Sequence, residues 1–180
     1  EGQEIDTATL KTAILRANQQ VLDASAGNSS YEGMGSTATV LHVDEHAGMV
    51  YYAHVGDSRL YLLRNGIFRQ VSRDHSYVEE LVARGELSEA EAQHHPRKNL
   101  LLRAVGIEER LHVDGDSFPL EACDRLLLAT DGLTNMVDDD ELAALLGGTF
   151  EGLAERMVKR ALAGGGSDNI TAIALAYEPS

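Results

Sequence analysis

The sequence predicts an α+β fold built on antiparallel sheet, and three observations carry that prediction. Strand-like runs follow one another as a meander through residues 36–72. Helical periodicity is confined to separate blocks and does not alternate with the strands, so a doubly wound parallel sheet is not expected. The pair Asn65-Gly66, set between two β-rich runs, is the strongest short hairpin signal in the chain.

The elements follow in order. Leu10, Ile14, Ala17 and Val21 share one face of a helix expected over 6–24, with Asp6 or Thr7 as its N-cap. A glycine-rich polar loop occupies 27–35. Strands are expected over 36–43 and in two stretches of 48–64 that meet near Gly56-Asp57, with a further strand over 67–72. A short amphipathic helix over 76–84 stops at Gly85. Ser88 with Glu91 reads as a capping box for a second short helix ending before Pro96. Strand signals return at 99–105, 111–118 and 125–130. Helices are expected over 138–146 and 149–163, the latter closed by Gly164-Gly165-Gly166, and a last strand over 170–177. No internal repeat or interdomain linker interrupts this order.

Composition narrows the function. The 180 residues are 43% hydrophobic, which is neither a disordered nor a membrane composition. No apolar run approaches the roughly 18 residues needed to span a bilayer, and the first residues, Glu1-Gly2-Gln3-Glu4, do not read as a secretory signal. The net charge of −14 would repel a polyanion, so nucleic-acid binding is not expected. An acidic protein that handles phosphate must neutralise it locally, as divalent cations on clustered carboxylates do. Cys123 is the single cysteine, so no intrachain disulfide can form and a cytoplasmic setting is expected. It reads as a small buried hydrophobe, with no anion-cradling loop after it to suggest a nucleophile.

Three aspartates share one local grammar, each at a strand end or glycine-rich turn: Asp57 after Val55-Gly56, Asp131 before Gly132, and Asp168 between Gly166-Ser167 and Asn169. If they converged they would suit Mg²⁺ or Mn²⁺, which prefer oxygen ligands. Taken singly, each is also an ordinary turn residue. His42, His46, His54, His94, His95 and His112 read as surface or partly buried side chains and not as zinc ligands. The run 138–141 reads as acidic residues offsetting a helix dipole and not as a calcium site. Arg59 and Arg73 are candidates for substrate or flap contacts, or for ordinary ion pairs.

The order of segments goes further. Gly33-Met34-Gly35-Ser36-Thr37-Ala38, Val55-Gly56-Asp57-Ser58-Arg59, Asp74-His75-Ser76, His95-Pro96-Arg97-Lys98-Asn99, Leu128-Ala129-Thr130-Asp131-Gly132-Leu133 and Gly165-Gly166-Ser167-Asp168-Asn169-Ile170-Thr171 follow one another. In that order the sequence resembles the bacterial metal-dependent serine/threonine protein phosphatases of type 2C. The resemblance implies an antiparallel β-sandwich flanked by helices, in one phosphatase-like domain over 1–180 with a flap insertion at about 74–98. It implies two Mg²⁺ or Mn²⁺ ions, with a third held more weakly. Asp131 and Asp168 would be metal ligands, Gly132 and Asn169 their neighbours, and Asp57 would hold the third ion with Asp131. Ser76 and His95 of the flap, and Arg59, would meet substrate. The nucleophile would be a metal-activated water, so no catalytic side chain is expected.

The resemblance further implies that the chain is N-terminally truncated. An Arg-x-x-Asn-Glu-Asp segment and an Asp-Gly-x-Gly-Gly segment, which carry a phosphate-binding arginine and further metal ligands, have no counterpart in residues 1–35. Their sheet partners would leave exposed edges open to strand exchange or homodimer formation. Two functions are therefore carried forward. One is hydrolysis of phosphoserine and phosphothreonine in proteins, opposing a serine/threonine kinase. The other is a pseudophosphatase that binds phosphoproteins.

Overall fold

The computed structural model describes residues 5–178, so the reading of Glu1–Glu4 lies outside the described residues. The described chain is α+β with two antiparallel sheets, as expected. Its internal contacts divide it into two compact units, 1–57 with 73–118, and 58–72 with 119–180. No helix among the described residues is long and apolar enough to cross a membrane.

The first unit opens on helix α1, Thr7–Gly27, capped by Asp6, whose side chain accepts from the Thr9 amide. Strands β1, Ala38–Asp44, and β2, Met49–Val55, pair antiparallel from Ala38 opposite Val55 to Asp44 opposite Met49. The short β5, Ser117–Pro119, borders β2. Ile14 of α1 joins Ala53, Val55, Val105, Leu111 and Val113 in a core. Asn18 is buried beside it with both ends of its amide used: Nδ2 donates to Glu108 O at 2.8 Å, and Oδ1 accepts from Gly106 N at 2.7 Å. A buried amide satisfied in this way costs little and fixes the helix in one register.

The expected strand over 99–105 is absent. Leu101 and Val105 make single bridges to Ser76 and Ser36, so this segment is a strap between two loops. The strand expected over 111–118 shrinks to Ser117–Pro119, with one bridge from Asp114 to His54. Gly115 explains the break, since a Cβ there would lie 2.4 Å from Tyr52 O, too close for ordinary ladder geometry. The two short helices expected after Ser76 and Ser88 form. Helix α2, Tyr77–Ala83, is capped by Ser76, and α3, Glu89–Gln93, carries the reciprocal Ser88–Glu91 capping box.

The second unit holds the other sheet, with strand order β4-β3-β6-β7: β4 is Ile67–Gln70, β3 Arg59–Arg64, β6 Arg125–Ala129 and β7 Ala172–Ala176. The β3–β4 hairpin turns on Asn65 and Gly66, whose φ values of 51° and 77° are what a two-residue primed turn requires. A one-turn helix α4, Asp131–Thr134, not anticipated from the sequence, follows β6. Helix α5, Asp139–Gly147, is capped by Asp138, so the acidic run does sit at a helix start. Helix α6 spans Leu153–Ala163; the expected start at 149 fails because Gly152, at φ 65°, turns the chain first. Leu153, Met157 and Ala161 fall on its buried face at helical spacing and meet Tyr61, Leu127, Leu133, Leu142 and Leu146 in the second core.

Cys123 corrects the sequence reading: it is exposed, at φ 66°, in a turn. Asp124 imposes that turn. Its fully buried carboxylate takes a two-pronged contact from Arg64 at 2.8 and 2.7 Å and also accepts from the Glu121 amide, which draws Asp124 inward and leaves its neighbour outside.

His54 also departs from expectation, being fully buried. Its Nδ1 pairs with Thr39 Oγ1 at 2.9 Å and its Nε2 with Arg73 O at 3.1 Å. A carbonyl can only accept, so Nε2 carries a proton, and burial keeps the ring neutral at neutral pH. Burial, and then the neighbouring His75, lower its pKa from 6.5 to about 4. A histidine whose folded pKa is depressed leaves stability untouched at high pH and loses it as the unfolded chain protonates first. The free energy of unfolding should therefore fall between about pH 6.5 and pH 4, by up to about 3 kcal/mol from this residue. Denaturant titrations across that range should show a shallower fall in His54→Gln than in the wild type.

Candidate metal-binding site

The register of β6 on β7 sets Ala129 opposite Ala172. The next residues continue the match: Thr130 N donates to Thr171 O at 3.1 Å, and Thr171 N donates to Thr130 Oγ1 at 2.9 Å. Thr130 Oγ1 in turn donates to Asn169 O at 3.2 Å. These bonds lock the strand-to-helix turn at Asp131 against the loop carrying Asp168. Gly132 permits the closeness, since a Cβ on it would lie 2.2 Å from Asn169 O. Asn169 thus contributes its backbone to the site, and its amide is held by Asp168 Oδ1 at 2.7 Å.

Two carboxylates are brought together by this scaffold. Burial, and then the negative charge of Asp168, push the Asp131 carboxyl up from its ordinary value. Arg59, at the start of β3, offsets part of that charge. Its guanidinium is held from the other side, with NH1 donating to Tyr61 Oη at 3.0 Å, and Tyr61 Oη donating to Asp139 Oδ1 at 3.3 Å. Like charges held together by backbone bonds are costly in isolation and are relieved by a cation between them. Paired carboxylate oxygens near backbone carbonyls are the donor set that Mg²⁺ or Mn²⁺ takes. The residues present therefore fit a divalent metal, although no group of three or more candidate ligands occurs among the described residues.

The other predicted residues lie in the first unit. Asp57 follows Gly56, which has φ 111° and would bring a Cβ within 2.3 Å of Thr37 Cγ2. Ser76 caps α2 through the Glu79 amide at 3.2 Å. His95 lies beside the Tyr77 ring, with centroids 5.9 Å apart, and Arg97 stands over the same ring at 5.8 Å. Arg73 makes the ordinary ion pair allowed for it, with Glu79 at 2.9 Å. Sequence reasoning missed the lock made by Thr130 and Thr171. Thr130 directly before Asp131 and Thr171 three residues after Asp168 are visible in the sequence, but only strand register shows that the two meet.

A family model described as protein phosphatase 2C matches residues 1–164. The chain belongs to the protein phosphatase 2C family. Within it, the chain is 41% identical over 174 residues to the serine/threonine phosphatase stp of Listeria monocytogenes serotype 4b, covering 96% of this chain and 68% of that protein. It is 36% identical to protein phosphatase PhpP of Streptococcus pneumoniae, over 87% of this chain and 64% of that one. Among solved structures, the serine/threonine phosphatase PstP/Ppp of Mycobacterium tuberculosis superposes with a TM-score of 0.89 at 32% identity, covering 96% of this chain and 73% of the other. The catalytic domain of PstP, solved in complex with two manganese ions, gives 0.84 at 31% identity, covering 99% and 74%. A phosphatase 2C chain is therefore seen here over about two thirds to three quarters of its relatives' length.

Two outcomes follow for the metal-free protein. Above the raised pKa of Asp131 its charge opposes folding, so Asp131→Asn should raise Tm in chelator by a few degrees, about 2–4 °C for each kcal/mol relieved. Gly132→Ala should do the reverse, costing roughly 1–3 kcal/mol as the added methyl displaces the Asn169 loop. Differential scanning calorimetry in chelator reads both.

Proposed function

We propose that this chain hydrolyses phosphoserine and phosphothreonine in proteins, using divalent metal held at Asp131 and Asp168. The observation that carries the reading is the pair of like-charged carboxylates locked together at the paired ends of β6 and β7. Relatives named as serine/threonine phosphatases favour a hydrolase over a phosphoprotein-binding module. Mg²⁺ or Mn²⁺ suits oxygen donors of this kind. The metal, when bound, supplies the positive charge and Lewis acidity for attack of water on phosphorus.

The side chains then have limited tasks. Asp131 and Asp168 donate carboxylate oxygens. Gly132 and Asn169 keep the two turns close, and Arg59 balances charge beside Asp131. Asp57 is a further metal-binding carboxylate in the first unit, and Ser76 and His95 belong to the flap that meets substrate. Phosphorylated proteins are the substrates, a serine/threonine kinase supplies the phosphoryl groups that the enzyme removes, and the cytoplasm is the setting. Strand β7 is an edge of its sheet with Ile173 exposed, the position at which a second copy or another strand would add.

The test is hydrolysis of p-nitrophenyl phosphate with and without millimolar Mn²⁺. Turnover should require Mn²⁺ and fall about 10- to 100-fold in Asp131→Asn, the loss of one charge-assisted contact. Metal-independent turnover, or an unaffected Asp131→Asn, would remove the reading.

A further inference from the structure

His75 has a place in the fold that its sequence position does not reveal. It is 2% exposed, and its ring stands 4.7 Å from that of His54, tilted by 50°. Its backbone and side chain grip the same residue. His75 N donates to Gly56 O at 2.7 Å, and Gly56 N donates to His75 Nδ1 at 3.1 Å. Because Nδ1 accepts, the proton of the neutral ring is on Nε2, which faces Asp114 Oδ2 at 3.1 Å. Burial, and then Arg103, lower the His75 pKa, in keeping with a neutral ring.

Asp114 is itself fixed. Burial pushes its carboxyl up, but Arg103 and His75 outweigh this and hold it below its ordinary value. Arg103 NH1 donates to Asp114 Oδ1 at 2.8 Å, and His112 Nε2 lies 3.3 Å from the same oxygen. The backbone of Asp114 is bonded in both directions to His54 on β2. On the other side, His75 O accepts from Leu102 N at 2.8 Å, and the next residue, Ser76, caps α2.

We propose that His75 is a positioning residue for Asp57, its tautomer set by the Gly56 N–H and its ring backed by the Asp114 carboxylate 3.1 Å from Nε2. Gly56 sits at φ 111°, where its peptide groups make no regular ladder, and His75 satisfies both its N–H and its C=O. The carboxylate that follows Gly56 is aimed by that clamp. The same histidine roots the flap helix, so the Asp57 turn and the base of α2 share one anchor. This is the arrangement by which outer hydrogen-bond partners orient metal-binding groups. The inference rests on the reading of Asp57 as a metal-binding carboxylate.

The variants His75→Asn and His75→Gln separate the clamp from mere packing. Asparagine places an acceptor where Nδ1 stands, whereas glutamine reaches toward Asp114 and leaves the Gly56 amide without its acceptor. The readout is Mn²⁺ binding to the chain, followed by the EPR signal of free Mn²⁺, with Tm alongside. His75→Gln should weaken Mn²⁺ binding about 3- to 10-fold, and His75→Asn should remain within about twofold of wild type. In an Asp57→Asn background His75→Gln should add no further loss. Should His75→Gln fail to fold, Asp114→Asn takes its place in the same cycle, with the same expected dependence on Asp57.

A lower Tm with unchanged Mn²⁺ binding, or an equal loss with and without Asp57, would overturn the role of His75. If Asp57→Asn alone leaves Mn²⁺ binding unchanged, the assignment of Asp57 fails, and the positioning role falls with it. If the wild-type chain binds no Mn²⁺, it is the metal-dependent reading of the whole site that fails.

Discussion

Two carboxylates with the same charge are held near each other by backbone hydrogen bonds, and the candidate site depends on that constraint. Asp131 and Asp168 do not choose their proximity. It is imposed by the ladder of β6 on β7 and by the Thr130–Thr171 and Thr130–Asn169 bonds that extend it. The cost is visible in the raised pKa of Asp131. The core of the second unit holds the constraint in place, because β3 and β6, buried within it, leave the turn little freedom to spread.

Several buried polar groups among the described residues follow a different rule and are paired or neutral. Asn18 uses both ends of its amide, His54 is neutral between a hydroxyl and a carbonyl, and Asp124 is enclosed by Arg64 and the Glu121 amide. Such networks add modest net stability but large specificity, because any shift leaves a buried group unpaired. They hold loops in place: the Gly106 turn through Asn18, the Gly56-Asp57 turn through His75, and the Cys123 turn through Asp124.

Local signals were legible in the chain wherever a short-range hydrogen bond decides conformation. The Asp6 cap, the Ser88–Glu91 capping box and the Asn65-Gly66 turn are each settled within four residues, and the structure has all three. Family motifs also placed Asp131 and Asp168 together by resemblance, although spacing alone gives no reason for them to meet. Readings failed where a distant residue intervenes. The strap at Leu101–Val105 looks like a strand until Ser76 and Ser36 take single bridges from it. Gly115 interrupts a ladder because of Tyr52, and Cys123 turns outward because of Asp124 and Arg64.

By itself, the sequence determined the class of fold, the acidic net charge, most helix boundaries and the candidate carboxylates. These depend on residue type, period and nearest neighbours, which are one-dimensional properties. Only the tertiary structure decided that Asp131 comes within electrostatic reach of Asp168, that Gly132 must lack a side chain, and that His54 and His75 are buried neutral rings. Those outcomes depend on strand register and on desolvation, and both arise only when segments tens of residues apart exclude water together.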